Sequence, residues 1–378
     1  MQVEKKIKII FFLHNLGFGG TEKSTSRLIR NLDRKKFEII LLLRKLKSPH
    51  FLNELPTDIL IEDLNTDNFI LAILKLIKYL KKEKPNIFVS ALPRENLITL
   101  MSMVFYKSKT KFIITERSTV SALSKNATYK FSHKFIFRFI LPILMKIFYK
   151  KADSIVCVSK GVADDLYKII GKLPSIRIIY NPVINNNVLE LAKEPLIDSN
   201  IKNSSLPNIV AVGRLTKAKD YPTMLKAFSI VLKETPANLI IIGDGEERSK
   251  VENIIKELNI SNNVFLLGFQ KNPLKYMTKA DIFILSSRLE GFPNVLVEAM
   301  ACGVPVVSTD CQSGPNEIIE DGKSGLLVPV GDEKAISEAI IKLLENPDLR
   351  NKFSEEGKKR AQYFSVEKSV KDFEKLFL

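Results

Sequence analysis

The sequence predicts an α/β fold made of two doubly wound parallel-sheet domains in series. Three observations carry this expectation. Short apolar runs alternate with longer amphipathic stretches along the chain, the pattern of parallel strands joined by crossover helices. The alternation comes in two sets, parted by a polar stretch at residues 181–207 that holds Asn185-Asn186-Asn187, Pro195 and Asn203-Ser204-Ser205. The length of 378 residues suits about two domains of roughly 150 residues each.

The elements follow in order. In the first half, residues 7–13, 37–43, 87–90, 111–115 and 154–158 read as strands, with helical stretches at 21–31 and 71–82. In the second half, residues 208–212, 238–242, 263–267, 282–285 and 304–308 read as strands, with helices at 221–234 and 246–258. Residues 365–378 read as a final amphipathic helix. The expected domains are residues 1–185 and 186–364, followed by that helix. The run at 7–13 is interrupted by Lys8 and followed by His14, and Glu4 sits where a signal peptide would be basic. It reads as a buried first strand, not a targeting segment. No uncharged apolar stretch reaches about 18 residues, so no spanning helix is expected.

Composition narrows the function classes. Hydrophobic residues make up 45% and charged residues 26%, and mean hydropathy is +0.03. These values exclude a disordered tail, a fibrous repeat and a polytopic membrane protein. The net charge of +16 is unevenly placed. Residues 1–180 hold 33 bases against 15 acids, and the remainder 25 against 27. Such asymmetry points to domains that face different partners. Cys157, Cys302 and Cys311 form no C-x-x-C pair, which fits a reducing cytosol and no disulfide framework. His14, His50 and His133 are far apart, so no metal site is expected.

In doubly wound sheets ligands sit beyond the carboxyl ends of the strands, and glycine loops fall there. Gly17-Phe18-Gly19-Gly20 follows the first strand, Gly213-Arg214-Leu215 opens the second half, and Gly243-Asp244-Gly245 follows the next strand. Each reads either as an anion cradle at a helix N-terminus or as a tight turn that needs glycine torsions. Ser286–Glu298 reads SSRLEGFPNVLVE. Glu290 lies in the strand–helix loop, Gly291 turns, Pro293 suits the first helical turn, and Glu298 projects from the helix. Two acids so placed suit the hydroxyls of a nucleotide sugar whose diphosphate rests on the helix N-terminus. The plainer reading is a capping acid and an exposed helix glutamate. Arg214 and Lys219 offer a planar fork and a point charge to a diphosphate, or are solvated surface charge.

At this point the sequence resembles glycosyltransferase family 4, the retaining, nucleotide-sugar-dependent group with the GT-B fold, two Rossmann-like domains facing across a cleft. The resemblance rests on Gly213-Arg214-Leu215 with Lys219, Gly243-Asp244-Gly245, Leu267-Gly268-Phe269, Ala280-Asp281 and Ser286-Ser287. It continues through Glu290-Gly291-Phe292-Pro293, Glu298-Ala299-Met300-Ala301, Gly303-Val304-Pro305-Val306-Val307 and Gly325-Leu326-Leu327-Val328. It covers nearly all of residues 208–340. The first half matches more loosely, through Gly19-Gly20, Val158-Ser159-Lys160 and Asn181-Pro182.

The resemblance implies that Glu290 and Glu298 form an E-x7-E element, with Glu290 near the donor sugar and Glu298 on the ribose hydroxyls. Arg214 and Lys219 would hold the diphosphate and stabilise it as it leaves. Backbone groups at Gly291, Phe292, Pro293 and Asn294 would lie at the sugar or phosphate, although Pro293 has no N–H to give. Phe269 would sit by the base, Gly213 and Asp244 would line the donor site, and Gly19 and Gly20 would close over the donor. The final helix would cross back to the first domain. No cofactor and no catalytic metal are implied. Many relatives carry a histidine after a strand of the first domain. Here that segment reads Ile114-Thr115-Glu116-Arg117-Ser118, so Glu116 or Arg117 stands in its place, and His14 is a further candidate on the acceptor or sugar side.

Residues 129–151 hold Lys130, Lys134, Arg138, Lys146, Lys150 and Lys151 among Phe, Ile and Leu, with no acid. This reads as a basic amphipathic segment for an anionic membrane surface, or as a core helix with a solvated face. The functional expectation is a retaining glycosyltransferase of bacterial polysaccharide or glycan assembly. It would act at the inner face of the cytoplasmic membrane on a glycan or lipid-linked acceptor, with uridine diphosphate as first candidate for the donor nucleotide. The alternatives are another GT-B enzyme, such as a sugar-nucleotide epimerase, or a charge-driven membrane or nucleic-acid binder. No nucleic-acid motif supports the last.

Overall fold

A computed structural model describes residues 6–17, 19–46, 55–121, 140–196 and 205–378. The chain divides into two compact units, Met1–Pro182 with Val366–Leu378, and Val183–Ser365. Each is a parallel sheet between helices.

The strands of unit 1 are β1 (Ile7–Leu13), β2 (Phe37–Leu43), β3 (Leu60–Asp63), β4 (Ile87–Ala91), β5 (Lys111–Glu116), β6 (Ser154–Cys157) and β7 (Ile176–Ile178). They lie in the order β3-β2-β1-β4-β5-β6-β7. Its helices include α1 (Gly20–Asn31), α2 (Phe69–Glu83), α3 (Pro93–Phe105), α4 (Leu141–Phe148) and α5 (Lys160–Ile170). Strand β1 shows why its sequence is apolar from Ile9 to Leu13. Ile9, Phe11 and Leu13 face one core with Leu28 of α1, while Ile10 and Phe12 face another with Leu76 of α2. A strand covered on both faces has no polar side to display. Helix α2 starts where Asn68 Oδ1 accepts from the Leu71 N–H at 3.0 Å. It ends at Lys84 in the left-handed region, φ +43°.

The C-terminal helix Val366–Phe377 completes the first of those cores. Val366, Val370, Phe373 and Phe377 are buried in it. The Phe377 ring meets Phe11 at 6.3 Å and Phe37 at 5.9 Å, both edge-on. Polar ties fix the helix. Ser369 Oγ donates to the Tyr180 carbonyl at 2.9 Å, and Lys111 Nζ donates to the Leu376 carbonyl at 2.6 Å.

The strands of unit 2 are β8 (Asn208–Val212), β9 (Asn238–Ile242), β10 (Val264–Gly268), β11 (Ile282–Leu285), β12 (Val306–Thr309) and β13 (Leu326–Val328). Their order is β10-β9-β8-β11-β12-β13. The helices are α6 (Asn186–Ala192), α7 (Tyr221–Glu234), α8 (Arg248–Glu257), α9 (Leu274–Met277), α10 (Asn294–Ala301), α11 (Pro315–Ile318), α12 (Glu333–Glu345) and α13 (Pro347–Ala361). All strand pairs in both units are parallel. Every strand of a unit therefore ends at the same edge, and the loops that leave those ends become neighbours.

Three strands escaped the sequence pattern, namely β3, β7 and β13. All are edge strands of three or four residues. A run of three or four residues is too short to show the apolar pattern of a strand. The described part of the polar stretch before residue 197 is also more structured than its composition suggests. Asn185 caps α6, its Oδ1 accepting from the Val188 N–H at 3.0 Å, so the asparagine run marks a helix start. Of the basic segment 129–151, residues 129–139 lie outside the described residues, and the rest forms α4 and a short 3-10 turn at Tyr149–Lys151.

Phe377→Ala removes a ring that touches three others. We expect it to destabilise unit 1 by about 3–5 kcal/mol. Urea unfolding followed by circular dichroism should show the loss, and an unchanged first transition would contradict this packing.

Candidate active site

The strand ends of unit 2 gather most of the expected site residues, and the approach of their backbones explains the glycines. Gly243 has φ +141°, and a Cβ there would lie 2.0 Å from the Gly213 carbonyl oxygen. A Cβ on Gly245 would lie 2.4 Å from the Leu215 carbonyl oxygen. The loops are laced together by Gly213 N–H to the Ile242 carbonyl at 3.0 Å and Leu215 N–H to the Asp244 carbonyl at 3.0 Å. Any side chain would force them apart.

Against this surface lie the charged groups. The Lys219 side chain crosses Gly213, where a Cβ would meet its Cε at 3.4 Å and the Tyr221 hydroxyl at 3.3 Å. Lys219 Nζ donates to the Glu290 carboxylate. The same Glu290 oxygen accepts from Ser287 Oγ at 2.6 Å. Lys219 and Glu290 are partly enclosed, with 21% and 11% of their side chains exposed. Burial, with Glu290 close by, pushes the Tyr221 phenol upward, so it stays a neutral donor to the Gly213 carbonyl at 2.9 Å. Burial near Glu290 likewise pushes the Cys311 thiol up to about 12, which leaves it inert. Arg214 is exposed at the end of β8 and makes no hydrogen bond or ion pair with the described residues.

The rest of the motif is built into the scaffold. Helix α10 begins after Pro293, which gives it no side-chain cap, and the Leu296 N–H donates to the Pro293 carbonyl at 3.0 Å. Phe292 is buried and packs edge-on against Phe364 at 5.3 Å. Ser313 Oγ donates to the Gly291 carbonyl at 2.8 Å and pins the turn. Asn294 is buried at the helix start. Glu298 is 1% exposed, which removes the reading of an exposed helix glutamate. Phe269 stands about half exposed after β10. Asp244 Oδ1 accepts from the Gly245 N–H at 2.8 Å.

In unit 1 the expected residues fall at the corresponding strand ends. Gly19 and Gly20 start α1, and the Glu22 carboxylate folds back so closely that a Cβ on Gly19 would sit 1.9 Å from Oε2. Glu22 is the third helical residue, so it stands in the capping-box position. His14 is one-third exposed, and its Nδ1 accepts from Arg44 Nε at 2.9 Å. Arg44 is itself buried beside Glu95 at 3.3 Å. Nothing local in the sequence pairs residues 44 and 95, so that ion pair was not foreseen. Arg117 reaches Asn181 Oδ1 at 2.7 Å and Ser24 Oγ at 3.3 Å, and burial lowers its pKa to about 10.

Glu116 is wholly buried, turned into the fold and not outward. Its Oε1 accepts from Asn96 Nδ2 at 2.8 Å and from the Tyr149 hydroxyl, while Oε2 has no hydrogen-bond partner among the described residues. Burial is the main cause that raises its pKa to about 7 from an ordinary 4.5, and the two hydrogen bonds oppose the rise. Among the described residues no three His, Cys, Asp or Glu side chains gather as a metal site.

The folded chain therefore holds the Glu116 proton more tightly than the unfolded chain does. Stability should fall as pH rises from about 4.5 to about 7 and level off above that. Glu116→Gln cannot ionise, so its melting temperature relative to wild type should be higher at pH 8 than at pH 5. The same difference at both pH values would contradict a buried proton.

Comparison with known proteins places this arrangement. Residues 18–185 match the family model described as Glycosyltransferase Family 4, and residues 192–360 match Glycosyl transferases group 1. The chain is 34% identical to N-acetylgalactosamine-N,N'-diacetylbacillosaminyl-diphospho-undecaprenol 4-alpha-N-acetylgalactosaminyltransferase of Campylobacter jejuni, over 98% of this chain and 99% of that protein. It is 26% identical to the lipopolysaccharide core biosynthesis glycosyltransferase LpsE of Rhizobium meliloti, over 90% and 89%. The structure of Anabaena Alr3699/HepE in complex with UDP and glucose superimposes with a TM-score of 0.82 at 18% identity, covering 98% of this chain and 99% of that one. Two family models that together span nearly all of the chain, and a relative aligned from end to end, lead to one conclusion: the chain belongs to glycosyltransferase family 4 and is a glycosyltransferase of the GT-B fold.

Proposed function

We propose that the protein transfers a hexose or N-acetylhexosamine, with retention of configuration, from a uridine-diphosphate donor to a lipid-linked glycan. The observation that carries this reading is Lys219 held on Glu290 beside the unpaired Arg214, at the strand edge where the uncapped start of α10 also lies. In the free protein the Lys219 ammonium is neutralised by Glu290. A donor diphosphate takes over that partnership, with Arg214 as its second cation. The bond from sugar C1 to the phosphate oxygen breaks, and its electron pair leaves on the diphosphate. The acceptor oxygen bonds C1, and the acceptor proton passes to the released diphosphate. Fixed cations aimed at the leaving group stabilise the charge as it develops. Glu290, freed from Lys219, lies next to the sugar, and Glu298 takes the ribose. The diphosphate charge is met by side chains, so the reading requires neither metal nor cofactor. The name of the Campylobacter relative, a diphospho-undecaprenol sugar transferase, supports a lipid-linked acceptor. The Anabaena complex with UDP and glucose supports a uridine donor.

A lipid-linked acceptor requires the protein to reach a membrane. No described helix is long and apolar enough to cross one, so we place the protein peripherally, at the cytosolic leaflet. Helix α2 exposes Ile70 and Leu74 on the same side as Lys78 and Lys81, and α4 exposes Ile143 and Ile147 beside Lys146 and Lys150. The acid in these two helices, Glu83, is mostly buried and paired with Lys8 and Lys82. Between the ends of α2 and α3 lies a cleft of about 870 Å³ lined by Lys81, Lys84, Lys107 and Lys109. Apolar tips among lysines suit an anionic lipid surface better than a nucleic acid, and each lysine near such a surface adds about 1 kcal/mol.

Lys219→Ala and Glu290→Gln should each lower turnover by about 100- to 1,000-fold with the melting temperature unchanged, and EDTA should leave wild-type transfer intact. The assay follows nucleoside diphosphate released from UDP-sugars in the presence of lipid extract. Near wild-type turnover in either variant removes that residue from the site. The full chain should also float with phosphatidylglycerol-containing vesicles and not with phosphatidylcholine alone. Replacing Lys78, Lys81, Lys146 and Lys150 by glutamine should abolish flotation, and persistent binding would contradict this face.

A further inference from the structure

The residue after Lys219 has a backbone that few residues other than glycine adopt, aspartate and asparagine among them. Asp220 lies in the left-handed region, φ +49° and ψ +48°, and is 5% exposed. An L-residue with a Cβ is disfavoured there, and glycine would fit without cost. The side chain explains why an aspartate stands in its place. Asp220 Oδ2 is ion-paired with Arg288, whose Nε lies 2.7 Å away, and accepts from Thr223 Oγ1 at 2.8 Å. The first of these contacts crosses to the loop that carries Glu290; the second ties Asp220 to the first turn of α7.

That crossing is part of a short zipper between the two loops. The Arg288 N–H donates to the Ala218 carbonyl at 2.8 Å. Ser286 Oγ donates to the Lys219 carbonyl at 2.8 Å, with the Asp220 carbonyl at 3.2 Å. Lys219 thus has its own peptide carbonyl gripped by the loop that bears its carboxylate partner. Arg288 is half exposed and makes no hydrogen bond or ion pair with Lys219 or Glu290 among the described residues, so its ion pair with Asp220 reaches Lys219 through the chain between them.

We infer that Asp220 and Arg288 form a clamp that sets the position of Lys219 against the donor diphosphate. They are positioning residues, and the strained backbone at Asp220 is kept because glycine would lose the clamp. The inference rests on the reading of Lys219 as a diphosphate ligand. It implies that the charge on Arg288 serves geometry, and that loosening the loop costs donor binding and turnover without unfolding unit 2.

The test uses the full chain and whichever of UDP, GDP and ADP the wild-type protein binds by calorimetry. Arg288→Gln keeps the backbone, the Thr223 bond and the Lys219–Glu290 pair, and removes only the crossing bond. It should weaken nucleotide binding and lower kcat, together reducing kcat/KM by roughly 10- to 100-fold, with the melting temperature unchanged. Asp220→Gly eases the backbone and loses the Thr223 and Arg288 contacts, so the opposing effects should leave its melting temperature little changed while it loses the same activity. Arg288→Lys should recover part of the loss. The double variant Asp220→Asn with Arg288→Gln should be no worse than Arg288→Gln alone, because both act through one contact. Wild-type binding and kcat in Arg288→Gln and Asp220→Gly, with Lys219→Ala inactive, would overturn the clamp and leave the donor site standing. Normal turnover in Lys219→Ala, or no nucleotide bound by the wild type, would overturn the donor-site reading and the clamp with it.

Discussion

The closeness of the Gly213 and Gly243 backbones is the constraint on which the site of unit 2 depends. With the Gly213 carbonyl 2.0 Å from where a Gly243 Cβ would stand, these two strand ends are packed main chain on main chain. Because no side chains intervene there, the Lys219 stem can lie directly on Gly213, and the Tyr221 hydroxyl can reach its carbonyl. The lysine is thereby held at the height of the next loop, where Glu290 and Ser287 wait. Widen the glycine contact, and the cation moves away from its carboxylate. The active-site electrostatics are thus a consequence of backbone packing one layer below.

The two units use their strand ends differently. In unit 2 the charged groups are partly exposed and paired with one another in a way a ligand can exchange. In unit 1 the corresponding charges are mostly locked. Arg44 is buried against Glu95 and His14, and Glu116 is sealed under Asn96 and Tyr149. Arg117 is spent on Asn181 and Ser24. The strand ends of unit 1 are not without cations, since Arg94 and Lys160 stand exposed at the starts of α3 and α5, but the residues of the segment at 114–118 are tied inward.

Much of this was legible in the sequence. The buried strands β1, β2, β8, β9 and β11 announced themselves through runs such as IKIIFFL, because a parallel strand covered on both faces must be apolar along its length. The strands β3, β7 and β13 did not, since three or four residues are too few to show a pattern. Lys219, Glu290 and Glu298 were visible through their spacing. The contacts that hold them were not. Asp220 carried no signal in the sequence, and only its backbone torsion and its ion pair with Arg288 mark it. Glu116 stood in the right segment, but whether it turned outward or inward depends on Tyr149, 33 residues away, and no local pattern carries that.

The path of the chain has a consequence for how the protein is made. Unit 2 is a single continuous stretch, whereas the core of unit 1 is finished by Phe373 and Phe377 at the far end. Domains tend to fold as they leave the ribosome, earliest segments first. Here the earliest segments must wait. Until residues 366–377 are translated, the faces of Phe11 and Phe37 lack the helix that covers them. The nascent chain thus carries an unfinished first unit while the second is being made, so loss of that helix exposes the part of the unit made first, not the part made last.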